Sequence, residues 1–293
     1  MLGEALELWQ PLHDPEPERD DQNFKLDGKE YNYNATDTHR ILVDLRAGLL
    51  TSYPFEDQEQ LLSGRGLTFS NGAKSENSAP QYSETVNIEP IDGKLKILFL
   101  AANPDGKTRL KLDEELRNIQ DRIREAKFRD RIEITTRSAL RHGGLRLALL
   151  EEKPHIVHFS GHGSVHDELI LQDDDGSSHP VPRAALVSLF NVLKDDIRLV
   201  VFNACFSRPQ AEGIVENIAF AIGMNRAIGD KAAIQFAEAL YQAIGFGRTM
   251  QEAFDLGTTA LPMAGIPEGS TPELLAHPKA DPTKVALLNL TKR

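Results

Sequence analysis

From Gly93 onward, apolar residues gather into short continuous runs that alternate with amphipathic stretches, whereas before Gly93 they keep no sustained period. Leu95-Lys96-Ile97-Leu98-Phe99-Leu100-Ala101 has strand length and ends at the turn-forming Asn103-Pro104-Asp105-Gly106. The spacing then predicts a helix from Leu112 to Phe128, with Leu112, Leu116, Ile119, Ile123 and Ala126 on one face. The alternation repeats: strands are expected at Ile132 to Thr135, Ile156 to Ser160, Ile197 to Ala204 and Ala219 to Met224. Helices are expected from Leu145 to Glu151, Ala184 to Leu193, Lys231 to Ile244 and Arg248 to Thr259. Glu168 to Ser177 reads as an inserted hairpin with an Asp175-Gly176 turn. Strands alternating with helices imply an α/β fold whose mostly parallel central sheet is covered by helices on both faces.

The two ends of the chain differ from this pattern. Residues 63–93 are rich in Gly, Ser, Asn and Pro and read as a flexible linker. Residues 1–62 would then be a small accessory unit of unassigned type, charged and irregular from Asp14 to Asp27. A helix is expected there after Thr36 or Asp37, with Ile41, Leu42, Leu45 and Leu49 on its apolar positions, although Gly48 interrupts it. At the other end, from Leu261 onward, Pro262, Pro267, Pro272, Pro278 and Pro282 are expected to interrupt any helix of length, leaving 94–262 as the main domain and 263–293 as a Pro-rich segment.

Composition narrows the function classes. The net charge of −11 opposes polyanion binding, so protein or peptide partners are expected rather than nucleic acid. No stretch reaches the roughly 20 apolar residues of a membrane span, and the first residues lack the basic start and apolar core of a secretory signal. With one cysteine in 293 residues there is no internal disulfide, and a reducing cytoplasm is the expected location.

That cysteine stands where chemistry is expected. Cys205 closes the run Leu199-Val200-Val201-Phe202-Asn203-Ala204, and His162 follows Ile156-Val157-His158-Phe159-Ser160 between Gly161 and Gly163. The carboxyl ends of adjacent strands in an open α/β sheet converge on one crevice, so the two side chains are expected to meet. A thiol acts as a nucleophile in its thiolate form, and an adjacent imidazole takes its proton and later protonates a leaving amine. The backbone amides of Gly163 and Cys205 are the natural pair to hold the oxyanion. His158 falls within a strand and is expected to pack or hydrogen-bond locally, and His166 to be a solvated loop residue. Spacing of four between His158, His162 and His166 aligns ligands only on a helix, so no metal is expected, and the dyad chemistry needs no cofactor.

HFSGHG, VVFNACFS, Phe220-Ala221-Ile222-Gly223-Met224 and Ala227-Ile228-Gly229-Asp230-Lys231-Ala232-Ala233 together resemble the CHAT family of caspase-like cysteine peptidases. Leu98 to Pro104 and Leu110 to Glu115 are similar to that family too, so the resemblance runs over about residues 94–260. It implies a caspase-like sandwich shared with caspases, metacaspases and separases, with His162 as general base and Cys205 as nucleophile. It also implies a regulated protease of bacterial defence systems. Separases and metacaspases bind Arg or Lys through a carboxylate, and Asp230 falls where a separase-like acid would sit, although it is equally placed to cap the helix from Lys231. Asn203 departs from the Asp that metacaspases carry two residues before the cysteine. Asp173-Asp174-Asp175 reads as a solvated turn. Arg65, between Gly64 and Gly66, is an unhindered site for a basic-specific peptidase, either this chain or an upstream partner protease. A partner-docking scaffold and a Cys-His esterase or acyltransferase are the competing expectations.

Overall fold

The computed structural model describes residues 82–289, apart from 84, 106 and 108, together with the strands of 21–26 and 29–34. The expected helix after Thr36 and the site at Arg65 lie outside the described residues. The chain divides into two compact units, Met1–Asn77 and Ser78–Arg293. In the first, β1 (Asp21–Leu26) pairs antiparallel with β2 (Lys29–Asn34) across Asp27-Gly28, the sequence signal of a two-residue hairpin. Strand β1 thus corrects part of the irregular stretch expected up to Asp27.

The second unit is an α/β domain. Its strands are β3 (Leu95–Ala101), β4 (Ile132–Arg137), β5 (Ile156–Ser160), β6 (His162–Gly163), β7 (Glu168–Gln172), β8 (Ser178–Pro182), β9 (Leu199–Asn203), β10 (Phe220–Met224) and β11 (Pro272–Ala276). Its helices are α1 (Leu112–Glu125), α2 (His142–Glu152), α3 (Arg183–Val192), α4 (Arg208–Ile214), α5 (Asp230–Gly245) and α6 (Met250–Met263). Six strands form the main sheet in the order β11-β10-β9-β5-β3-β4, parallel except for β11. Strands β6, β7 and β8 form a small antiparallel sheet beside it.

The continuous apolar runs are explained by burial on both faces. Alternate residues supply two separate cores. Ile97, Phe99, Ile156, Val201, Phe220 and Ile222 pack with α1, α5 and α6, while Leu98, Leu100, Val157, Phe159, Val200 and Phe202 pack with α2, α3 and α4. The chain moves outward from β3 to β4, then returns to the other side of β3 to build β5, β9 and β10. This reversal puts a crevice at the carboxyl ends of β3 and β5, the usual ligand position in such sheets.

Two expectations about the domain limits need correction. Residues 85–93 are part of the described body rather than a free tether: Ile91 is buried, its amide donates to Leu287 O at 2.7 Å, and its carbonyl accepts from Asn289 N at 3.1 Å. Arg131 ties the same stretch down by donating to the carbonyls of Ile91, Asp92 and Gly93 at 2.8, 2.7 and 3.0 Å. The Pro-rich segment after 263 supplies the edge strand β11 and the buried Leu287 and Leu288, so the body extends to the last described residue. Proline is tolerated there because Pro272 is the first residue of an edge strand.

Candidate active site

Strands β5 and β9 are neighbours, with Ser160 opposite Asn203 at their carboxyl ends. His162 and Cys205 each lie two residues beyond this pair, so the register delivers both to the same edge of the sheet. After Gly161, whose amide points to Asn203 O, the chain enters β6. There His162 pairs with Ile170 and Gly163 with Leu169. The backbone of Gly163 lies directly on that of Cys205: a Cβ at Gly163 would stand 2.0 Å from Cys205 O and 3.1 Å from its carbonyl carbon. Glycine is required here by contact. Because Ser164 N donates to Glu168 O at 3.0 Å, Gly163 and Leu169 occupy a non-hydrogen-bonded position of the ladder, which turns the Gly163 amide away from β7.

Cys205 is half-buried and its sulfur lies 3.8 Å from Ile228 O. A sharp turn holds it between β9 and α4. Phe206 takes a left-handed conformation with φ of 55°, which costs a bulky residue about 1–2 kcal/mol and must be held by its surroundings. Ser207 does much of this holding. Fully buried, its hydroxyl lies 2.9 Å from Phe202 O and 2.7 Å from Ala204 O, and it accepts from Met224 N at 3.0 Å.

Beneath the two residues runs a buried polar network. His158, Ser160 and Asn203 all project to the α1 and α5 side of the sheet, as their alternation and register require. There they meet Glu115, which is 3% exposed. Glu115 Oε1 lies 2.8 Å from His158 Nε2 and accepts from Asn203 Nδ2 at 2.6 Å, and its other oxygen accepts from the Ser160 hydroxyl. The second His158 nitrogen lies 3.1 Å from the Tyr241 hydroxyl, and Phe99 stacks on the ring at 4.9 Å between centroids. Burial, and then the charge of Glu115, hold the Tyr241 hydroxyl well above its ordinary range. His158 therefore packs and hydrogen-bonds locally, as expected, and His166 is an exposed loop residue whose amide donates to Ser164 Oγ at 3.1 Å.

Glu115, Ser160, His162, Asn203, Cys205 and Asp230 line one pocket. Asp230 is the first residue of α5, with Gly229 rather than Asp230 at the capping position. Its carboxylate still favours the helix N-terminus through the macrodipole. A larger cleft of about 490 Å³ follows the end of β3; it shares Leu110 and Leu112 with this pocket and is also lined by Asn103, Asp105 and Arg109.

A family profile described as "CHAT domain" matches residues 48–256. The chain belongs to the CHAT family. The profile begins before the resemblance read from the motifs, which starts near residue 94. A "Probable protease" of Gillisia limnaea is 25% identical over 163 residues, 54% of this chain and 29% of that protein. A "Roc-COR-CHAT protease" from an unknown prokaryotic organism is 21% identical over 82% of this chain and 23% of its own length. Another Roc-COR-CHAT protease, from Runella zeae, is 29% identical over 52% of this chain and 16% of its own length. The chain thus spans less than a third of each of these curated relatives. Among solved structures, caspase-1 from Spodoptera frugiperda aligns with a TM-score of 0.45 at 12% identity, covering 70% of this chain and 93% of that one. A secreted C11 cysteine protease from Bacteroides thetaiotaomicron aligns at 0.42 and 10%, covering 63% and 66%.

Within this CHAT domain, His162, Cys205 and the motif glycines are marked by the sequence pattern, whereas Ser207 and Tyr241 carry no such mark. Glu115 did leave a signal. It occupies the buried stripe of α1 with Leu112, Ile119 and Ile123, where a carboxylate needs partners.

Proposed function

We propose that the chain is a cysteine endopeptidase that cleaves protein or peptide substrates through a Cys205–His162 dyad, preferring Arg or Lys before the scissile bond. The β5–β9 register carries this reading: it brings His162 and Cys205 to neighbouring strand ends that line one pocket, where the Gly163 backbone lies on that of Cys205. His162 takes the proton of the Cys205 thiol, and the thiolate attacks the substrate carbonyl carbon. The amides of Gly163 and Cys205 hold the resulting oxyanion. As the tetrahedral species collapses, His162 gives its proton to the leaving amine, and a thioester remains on Cys205. Water, deprotonated by His162, then attacks the thioester, releasing the acid product and restoring the thiol.

Asp230, on the wall of the same pocket, supplies the basic preference through charge-assisted hydrogen bonds to the substrate side chain. The lone cysteine fits a reducing cytoplasm, and family membership fits a regulated pathway of bacterial defence or signalling. In that setting, cutting near Arg65 by another copy or an upstream protease would release the amino-terminal unit.

Peptides differing only at the residue before the scissile bond test the assignment. Asp230→Ala should reduce kcat/KM on the Arg peptide by roughly 100-fold, about the size of one lost buried charge pair, and on a neutral peptide by less than about 5-fold. Equal losses on both peptides from a folded variant would leave Asp230 with a structural role only.

A further inference from the structure

A second cluster of reactive side chains lies where the β7–β8 hairpin meets the start of α2. His142 opens α2, and Asp173 and His179 come from the turn and the returning strand of the hairpin. Asp173 Oδ2 lies 3.3 Å from His179 Nδ1, and Oδ1 lies 3.9 Å from His142 Nδ1. The imidazole rings stack with centroids 4.4 Å apart and planes 23° apart. One ligand atom from each of the three residues falls within 4.8 Å of the others.

The backbones on both sides are already fixed. Gln172 bridges to Arg141, whose guanidinium also pairs with Asp174 at 3.2 Å.

We propose that His142, Asp173 and His179 form a binding site for a divalent transition ion of the zinc type. Two imidazoles and a carboxylate suit borderline ions such as Zn²⁺ over hard Mg²⁺, and they leave a coordination position open to water. Donors about 2.1 Å from a tetrahedral ion stand roughly 3.4 Å apart, so the cluster needs to contract by about an ångström. The side chains are 50%, 42% and 35% exposed in the order His142, Asp173 and His179, so packing does not oppose that movement. The bound ion would join α2 to the hairpin, and through the β6–β7 pairing it would brace the strand that carries His162. The three residues are scattered in sequence, and only the fold assembles them.

Calorimetric titration of ZnCl₂ into the full chain carrying Cys205→Ala tests this without a contribution from the thiol. At pH 7.5 one Zn²⁺ site should weaken by at least about tenfold in His142→Ala and in His179→Ala. It should persist in His166→Ala, give no signal with Mg²⁺, and weaken at pH 5.5 as protons compete for the imidazoles. Saturating Zn²⁺ should raise Tm by roughly 5 °C in the parent and not in the two variants. An unchanged zinc isotherm in the folded His142→Ala/His179→Ala double variant, or no zinc uptake by the parent, would overturn the site. Neither outcome bears on the dyad.

Discussion

Ser207 and Glu115 decide how well the reacting groups are held, although neither reaches substrate in the proposed chemistry. Ser207→Ala strips the Met224 amide of its acceptor and frees the turn that holds Cys205. A buried donor left unsatisfied costs about 1–3 kcal/mol, so denaturant unfolding should show that loss, and kcat should fall more than KM rises. Glu115→Ala leaves His158, Ser160 and Asn203 without their common acceptor. Each buried polar group left unsatisfied costs about 1–3 kcal/mol, whereas Glu115→Gln, which keeps one oxygen acceptor, should cost less. Equal stability of the Ala and Gln variants would contradict the network. His158 belongs to the same network, so His158→Gln should lose stability while its folded fraction still turns over. The proposed dyad was legible in sequence because a lone cysteine and a histidine between glycines each end an apolar run. The network was not, because Ser160, Asn203 and Tyr241 become partners only when strand register and helix packing bring them to Glu115.

Among the secondary-structure elements, β6 is held from two sides, since its two residues pair with β7 while Gly163 lies on the Cys205 turn. Gly163→Ala inserts a methyl where Cys205 O stands and should push β6 off the turn, abolishing activity even in variants that stay folded. Gly143 makes the comparison. A Cβ there meets nothing within 4 Å and the residue lies in α2, so Gly143→Ala should leave turnover intact and raise stability by up to about 1 kcal/mol. Matched turnover in the two variants would remove the steric reason given for the His-Gly motif. The central strands were readable because burial on both faces makes them continuous apolar runs. Strand β11, Pro-Glu-Leu-Leu-Ala, was not: as a half-buried edge strand beginning with proline and set among other prolines, it lacks both the continuous run and the alternation that mark a strand. Helix α4 is two turns long and opens Arg208-Pro209, too short to show a period.

Across the whole domain, stability depends on segments far from the pocket. A chain beginning at Gly93 loses Ile91 and its hydrogen bonds, about 3 kcal/mol together, and should melt roughly 6–12 °C below one beginning at Ser78. Two histidines add a pH dependence. Burial, then the charge of Arg198, lowers the pKa of His155, and burial lowers that of His277; the ring nitrogens accept from Lys96 N at 3.0 Å and Lys279 N at 3.1 Å. Because the unfolded chain protonates these rings near 6.5 and the folded one at lower pH, their contribution is complete above pH 6.5 and is lost as pH falls through and below it. Tm should therefore drop between pH 7.5 and 5.5, and His155→Gln/His277→Gln should lessen that drop; an unchanged slope would assign it to other groups. The central claim is that the domain acts by acyl transfer to Cys205, assisted by His162. Intact-mass analysis after a rapid quench tests it most directly, using an activated ester of a peptide ending in Arg. The account predicts an added acyl mass on Cys205 that forms within the first turnover, at least about 1000-fold more slowly in His162→Ala, and not at all in Cys205→Ala. Acylation of His162→Ala at the parent rate, or peptide cleavage by folded Cys205→Ala, would contradict it.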